Sequence, residues 1–98
     1  MLTRKAPSTL PSTIRVVGQG EDFTFNVTFH NRTSEELKAQ FDAGKTIGEI
    51  VVFILAEWES EYPLTLEGVR EAEGVRPGLA QIILDAYNKA RVVQSEKN

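Results

Sequence analysis

Thr46-Ile47-Gly48-Glu49-Ile50-Val51-Val52-Phe53-Ile54-Leu55-Ala56-Glu57-Trp58 carries apolar residues at 47, 50, 51, 54, 55 and 58, the spacing of a helix with one face turned inward. Val52, Phe53 and Ala56 add apolar surface on the far side, so only Glu49, Glu57 and Glu59 look wettable. A helix apolar over so much of its circumference needs neighbours on more than one side. Thr46, with Glu49 three residues on, has the form of a capping box, in which hydroxyl and carboxylate satisfy the orphan amides of a helix start. The stretch therefore predicts a central helix from about 46 to 60. The rival reading makes Ile50 to Leu55, rich in branched residues, a buried strand; helical spacing that persists through Trp58, and the cap, favour the helix.

N-terminal to this stretch, residues 1–12 hold Arg4, Lys5, Pro7, Ser8, Thr9, Pro11 and Ser12, a polar segment expected as a flexible arm. Thr13 to Val17 and Asp22 to His30 read as two strands. Phe23, Phe25, Val27 and Phe29 of the second fall on one face, and Thr24, Asn26, Thr28 and His30 on the other. Gly18-Gln19-Gly20-Glu21 supplies glycines for a tight reversal, so the pair is expected to close as an antiparallel hairpin with its phenylalanine face on the helices. Thr33 with Glu36 repeats the capping box and opens a helix with Leu37 and Phe41 on one face, ending at Gly44.

C-terminal to the central stretch, Tyr62-Pro63 breaks the helix, because proline disfavours helical conformation in the residue before it. Thr65 can cap a short helix carrying Leu66, Val69 and Ala72 that ends at Gly74. A last helix opens near Arg76-Pro77, with proline in the first turn, and shows Leu79, Ile82, Ile83, Ala86, Tyr87 and Ala90 at helical spacing. Gln94 to Asn98 is expected as a frayed tail. The expected organisation is thus an arm over 1–12, one α+β domain over 13–93 and a tail over 94–98. In that domain an N-terminal antiparallel β-hairpin packs on a bundle of about four helices.

Ninety-eight residues, 41% of them apolar and 26% charged, suit one small globular domain. With 11 basic and 14 acidic residues the net charge is −3, which argues against a general nucleic-acid binder. The absence of cysteine removes disulfides, thiolate catalysis and cysteine metal sites together. No apolar run approaches the roughly 20 residues that span a bilayer, and Met1 to Thr13 lacks a signal-peptide core, so the expectation is a cytoplasmic protein without membrane contact.

The residues assemble no reaction centre, and no catalytic, cofactor-binding or metal-binding residue is assigned. His30, the single histidine, has no companion ligand and reads as a surface residue. Glu57, Glu59, Glu61, Glu67, Glu71 and Glu73 stand against Arg70 alone. They form either a solvated face or an acidic surface for a partner. Asn26-Val27-Thr28 and Asn31-Arg32-Thr33 match the glycosylation pattern, by chance if the protein is not secreted. The short helix, Gly74-Val75-Arg76-Pro77 and the longer helix are loosely helix-turn-helix in form, but the second helix offers few basic residues before Lys89. Trp58 and Tyr87 are large amphipathic side chains on apolar stripes; core packing is the plainer role and an interface anchor the sharper one. Phe53, Glu57, Trp58, Glu59 and Tyr87 are accordingly the candidate partner-binding residues.

The segment from Thr46 to Ala90 resembles the small tail assembly chaperones of long-tailed bacteriophages and prophages. The similarity lies in a helix ending in Glu57-Trp58-Glu59, in Tyr62-Pro63-Leu64-Thr65 opening a short helix, and in Pro77 before a final helix with Ile82-Ile83 and Ala86-Tyr87. The resemblance implies a non-catalytic protein in the cytoplasm of a host bacterium. Such a protein binds the tape measure protein, holds it soluble and helps to bring tail tube protein to it; no cofactor is implied, and self-association is left open. The alternative is a small DNA-binding or protein-inhibiting regulator of phage or prophage origin.

Overall fold

The computed structural model describes residues 1–95. The chain runs β1 (Thr9–Gly18), β2 (Glu21–His30), α1 (Ser34–Asp42), α2 (Ile47–Ile54), β3 (Leu55–Trp58), α3 (Leu66–Val75) and α4 (Leu79–Arg91). It is an α+β fold, with an antiparallel hairpin at the N-terminus and four helices. The three strands form one antiparallel sheet in the order β1-β2-β3.

The hairpin closes through a two-residue loop in which Gln19 and Gly20 both have positive φ, 53° and 77°. That is the mirror-image turn whose twist matches paired strands. Register follows, with Gly18 opposite Glu21 and Ile14 opposite Phe25. Ile14, Val16, Phe25, Val27 and Phe29 line the buried face and join Ile50, Val51 and Ile54 of α2 and Ala80, Ile83 and Tyr87 of α4 in one core. Phe23, expected on that dry face, is 37% exposed because it lies near the hairpin's turn, at the margin of helical cover.

Five expectations about element bounds and burial are corrected. The central helix stops at Ile54, and Leu55 to Trp58 pair with β2 as a third strand. The helical look of 55 and 58 has a specific cause. Phe29 faces Leu55 and Val27 faces Trp58, with a bulge between Thr28 and Phe29 that leaves Ala56 as the extra residue. In a regular strand, positions three apart point to opposite faces; one extra residue returns them to the same face, so a bulged strand imitates i, i+3 spacing. Second, the arm is shorter than expected, since β1 begins at Thr9 and Leu10 packs against the core. Pro11 is tolerated because β1 is an edge strand.

Third, α1 has no buried residue: Leu37 reaches the core but Phe41 is 57% exposed. Fourth, α4 starts at Leu79 rather than at Pro77. Gly78 is its N-cap at φ 100°, and the Glu73 carboxylate of α3 accepts from Gly78 N and Ala80 N, each at 2.9 Å. A carboxylate borrowed from the preceding helix thus takes the capping role that Gly78 has no side chain to fill, and its charge suits the helix's positive end. Fifth, α3 runs through Gly74 to Val75. Both capping boxes form as expected, at Thr33 with Glu36 and Thr46 with Glu49. Of the expected tail, 96–98 lie outside the described residues.

Candidate partner-binding cleft

Past Trp58 the chain leaves the sheet with one more ladder contact, Glu59 N donating to Asn26 O at 2.9 Å, while the Glu59 carboxylate accepts from Asn26 N at 3.1 Å. Ser60, Glu61 and Tyr62 then cross to α3. Their path leaves an open cleft of about 250 Å³ walled by Phe23 and Phe25 of β2, Trp58 of β3, Tyr62, Ala72 of α3 and Leu79 of α4. Glu59, Ser60, Glu61 and Arg76 complete its lining. Arg76 is held in a two-pronged bond to Glu21, Nε to Oε2 at 2.8 Å and Nη2 to Oε1 at 3.1 Å, and its guanidinium lies 5.4 Å from the Phe23 ring centroid. Donation from Arg76 holds the Glu21 carboxyl below its ordinary range. With Arg76 matched by Glu21, Glu59 and Glu61 leave the rim acidic.

The five residues singled out from sequence are not one site. Trp58 and Glu59 line the cleft. Glu57 is exposed on β3, opposite Thr28. Phe53 sits elsewhere, half-buried, with the Arg32 guanidinium 4.1 Å from its ring centroid and its carbonyl accepting from Arg32 Nε and Nη2. Tyr87 is fully enclosed, packed edge-on to Phe29 at 5.0 Å, and its hydroxyl accepts from Arg32 N at 3.0 Å. It presents no surface to a partner and serves to seat α4 on the sheet. Trp58 is half-buried, and its Nε1 is shielded without a hydrogen-bond partner.

Sequence reading missed Phe23, Tyr62, Arg76 and Leu79 as cleft residues. The alternation starting at Phe23 and the break at Tyr62-Pro63 were visible signals, but the Arg76–Glu21 pair joins residues 55 apart and leaves no local pattern. Among the described residues no group of three or more His, Cys, Asp or Glu could hold a metal ion. No helix among them is long and apolar enough to cross a membrane.

The fold and its cleft define a small α+β domain that offers an aromatic depression with an acidic rim. No protein-family model, curated protein or solved structure matches the chain.

Proposed function

We propose that this protein is a phage tail assembly chaperone, which binds apolar side chains of the tape measure protein in the cleft bounded by Phe23, Trp58, Tyr62 and Leu79. The observation that carries the reading is the cleft itself: an aromatic and aliphatic wall open to solvent beneath a carboxylate rim. Its volume of about 250 Å³ falls below the roughly 300 Å³ at which small-molecule sites begin, and suits anchoring side chains of a macromolecule better than a metabolite. A long helical protein with apolar stripes presents such anchors at i, i+3 and i+4. Basic residues flanking its stripe would meet Glu59 and Glu61. The partner's name rests on the resemblance of Thr46 to Ala90 to the chaperone family.

Co-expression with the phage's own tape measure protein is expected to raise that protein's soluble yield, and the two are expected to co-purify. Phe23→Ser tests the cleft at small cost to folding, because Phe23 is already 37% exposed; it should abolish co-purification while leaving the thermal midpoint near that of wild type. Association through the cleft should persist in about 1 M salt, where the Debye length is about 3 Å and rim charges are screened. A folded protein that fails to retain its cognate partner at low salt refutes the assignment.

A further inference from the structure

The sheet has two outer edges, and they are finished differently. β3 is only four residues long, with Glu57 and Glu59 at its outer end, and short charged edges discourage further pairing. β1 is ten residues long. In a hairpin closed by a two-residue loop the flanking pair, Gly18 and Glu21, exchanges both backbone bonds, so even-numbered residues of β1 bond inward to β2 and odd-numbered ones point their N–H and C=O away. Two bonds confirm the parity. Asn31 N donates to Ser8 O at 3.0 Å, while Asn26, opposite Thr13, has its backbone groups engaged on the β3 side. Thr13, Arg15 and Val17 therefore present free backbone donors and acceptors, and no partner for these groups exists among the described residues. Pro11, which has no N–H, falls on the same outward parity.

This edge is one wall of a groove whose other wall is α4, with Ile82, Ala86 and Ala90 as an apolar floor and Asp85 and Lys89 on the helix side. α4 runs antiparallel to β1: Leu79 and Ile82 lie beside Val16 and Val17, while Lys89 and Ala90 lie beside Leu10. Asp85 and Lys89 stand one turn apart with opposite charge, and neither is in an ion pair among the described residues. The Arg15 charge is matched by Asp22, its Nη2 at 2.7 Å from Oδ2, so it does not repel a like edge.

We propose that the β1 edge and α4 form a self-complementary surface occupied by a second copy of this chain, which joins two three-stranded sheets into one continuous sheet across a two-fold axis at Ser12, level with the midpoint between Asp85 and Lys89 on α4. In that register Arg15 faces Thr9 of the other copy and exchanges both backbone bonds with it, while Thr13 N–H meets the other copy's Pro11 carbonyl, so the missing proline donor costs little. Antiparallel strands bring the two α4 helices alongside in opposite directions, which sets Asp85 of each against Lys89 of the other. A two-fold interface needs such reciprocity, and an opposite-charge pair on one flank supplies it.

The test is the mass in solution of the full chain at about 100 µM protein, by size-exclusion chromatography with light scattering. The dimer is expected at twice the chain mass of 10.9 kDa. Lys89→Glu alone and Asp85→Lys alone should each weaken dimerisation at least about tenfold, and the Asp85→Lys, Lys89→Glu double variant should restore it. Thr13→Pro removes an outward donor without touching the hairpin ladder and should give a folded monomer. A monomeric wild type at this concentration overturns the proposal and leaves the edge to an extended segment of another protein. A dimer that both single charge variants and Thr13→Pro leave intact overturns it equally. Failure of the tape measure assignment has no bearing on these masses.

Discussion

One substitution made at two places in the same helix should give opposite signs. Gly68 and Gly74 both lie in α3, and alanine at either gains helix propensity, at most about 1 kcal/mol. At Gly74 a new Cβ would meet nothing within 4 Å, so Gly74→Ala should stabilise by about 0.4–1 kcal/mol. At Gly68 the Cβ would overlap the Pro63 carbonyl oxygen and come within 3.0 Å of Pro63 C and Cγ. That oxygen is backbone and cannot rotate aside; it also accepts from Thr65 N at 2.9 Å, and the Thr65 hydroxyl accepts from Gly68 N at 3.1 Å to cap α3. Making room therefore moves the Tyr62-Pro63 segment and disturbs the cap. Overpacking of this kind costs about 1–3 kcal/mol, and at the upper end, less the propensity gain, Gly68→Ala should lose about 1–2 kcal/mol. For a chain of this size 1 kcal/mol moves the midpoint by about 4–8 °C. Thermal denaturation followed by circular dichroism should show Gly68→Ala melting roughly 4–16 °C below wild type and Gly74→Ala a few degrees above it. Because Tyr62 walls the cleft, Gly68→Ala should also weaken partner binding where Gly74→Ala does not. A Gly68→Ala midpoint at or above wild type would mean that the Pro63 turn is not seated on α3.

Tyr87→Phe keeps the ring on Phe29 but removes one of two acceptors of Arg32 N, which retains the His30 carbonyl at 3.1 Å; urea unfolding should show a loss of about 0.5–1.5 kcal/mol, and an unchanged midpoint would show that the His30 carbonyl alone satisfies the amide. The Glu36 and Glu49 carboxyls are held below their ordinary value of 4.5, chiefly by backbone bonds from Thr33 and Thr46. A carboxyl with a depressed folded pKa contributes stability that is complete above the unfolded value and lost as pH falls through the lower folded one. Melting temperature should therefore decline below about pH 4.5, and the Glu36→Gln, Glu49→Gln double variant, which keeps capping acceptors that do not titrate, should decline less steeply over that range; an equally steep decline would place the sensitivity in other groups. Phe25→Ser cuts a large side chain from the sheet's buried face, where Phe25 is 9% exposed, and should cost about 3–5 kcal/mol; a midpoint within a degree of wild type would contradict hairpin packing on the helices.

The sequence alone determined the features that depend on neighbours a few residues apart. Alternation from Phe23 to Phe29 and glycine at 20 specify a hairpin, and Thr33 with Glu36 and Thr46 with Glu49 specify two helix starts, because a cap is closed by groups three residues apart. The apolar spacing of 79 to 90 specifies α4 for the same reason, since its period is a property of the helix itself. Tertiary structure decided where α2 ends. Leu55 to Trp58 satisfy both the helical period and a bulged strand, and it is the free edge of β2 that takes them as β3. It also decided that Glu73 caps α4, that Arg76 binds Glu21 and that Tyr87 is enclosed while Trp58 borders a cleft. Those outcomes depend on which surfaces meet after the chain has turned back on itself, and a periodicity, which records only which face of an element is apolar, does not say what that face will touch.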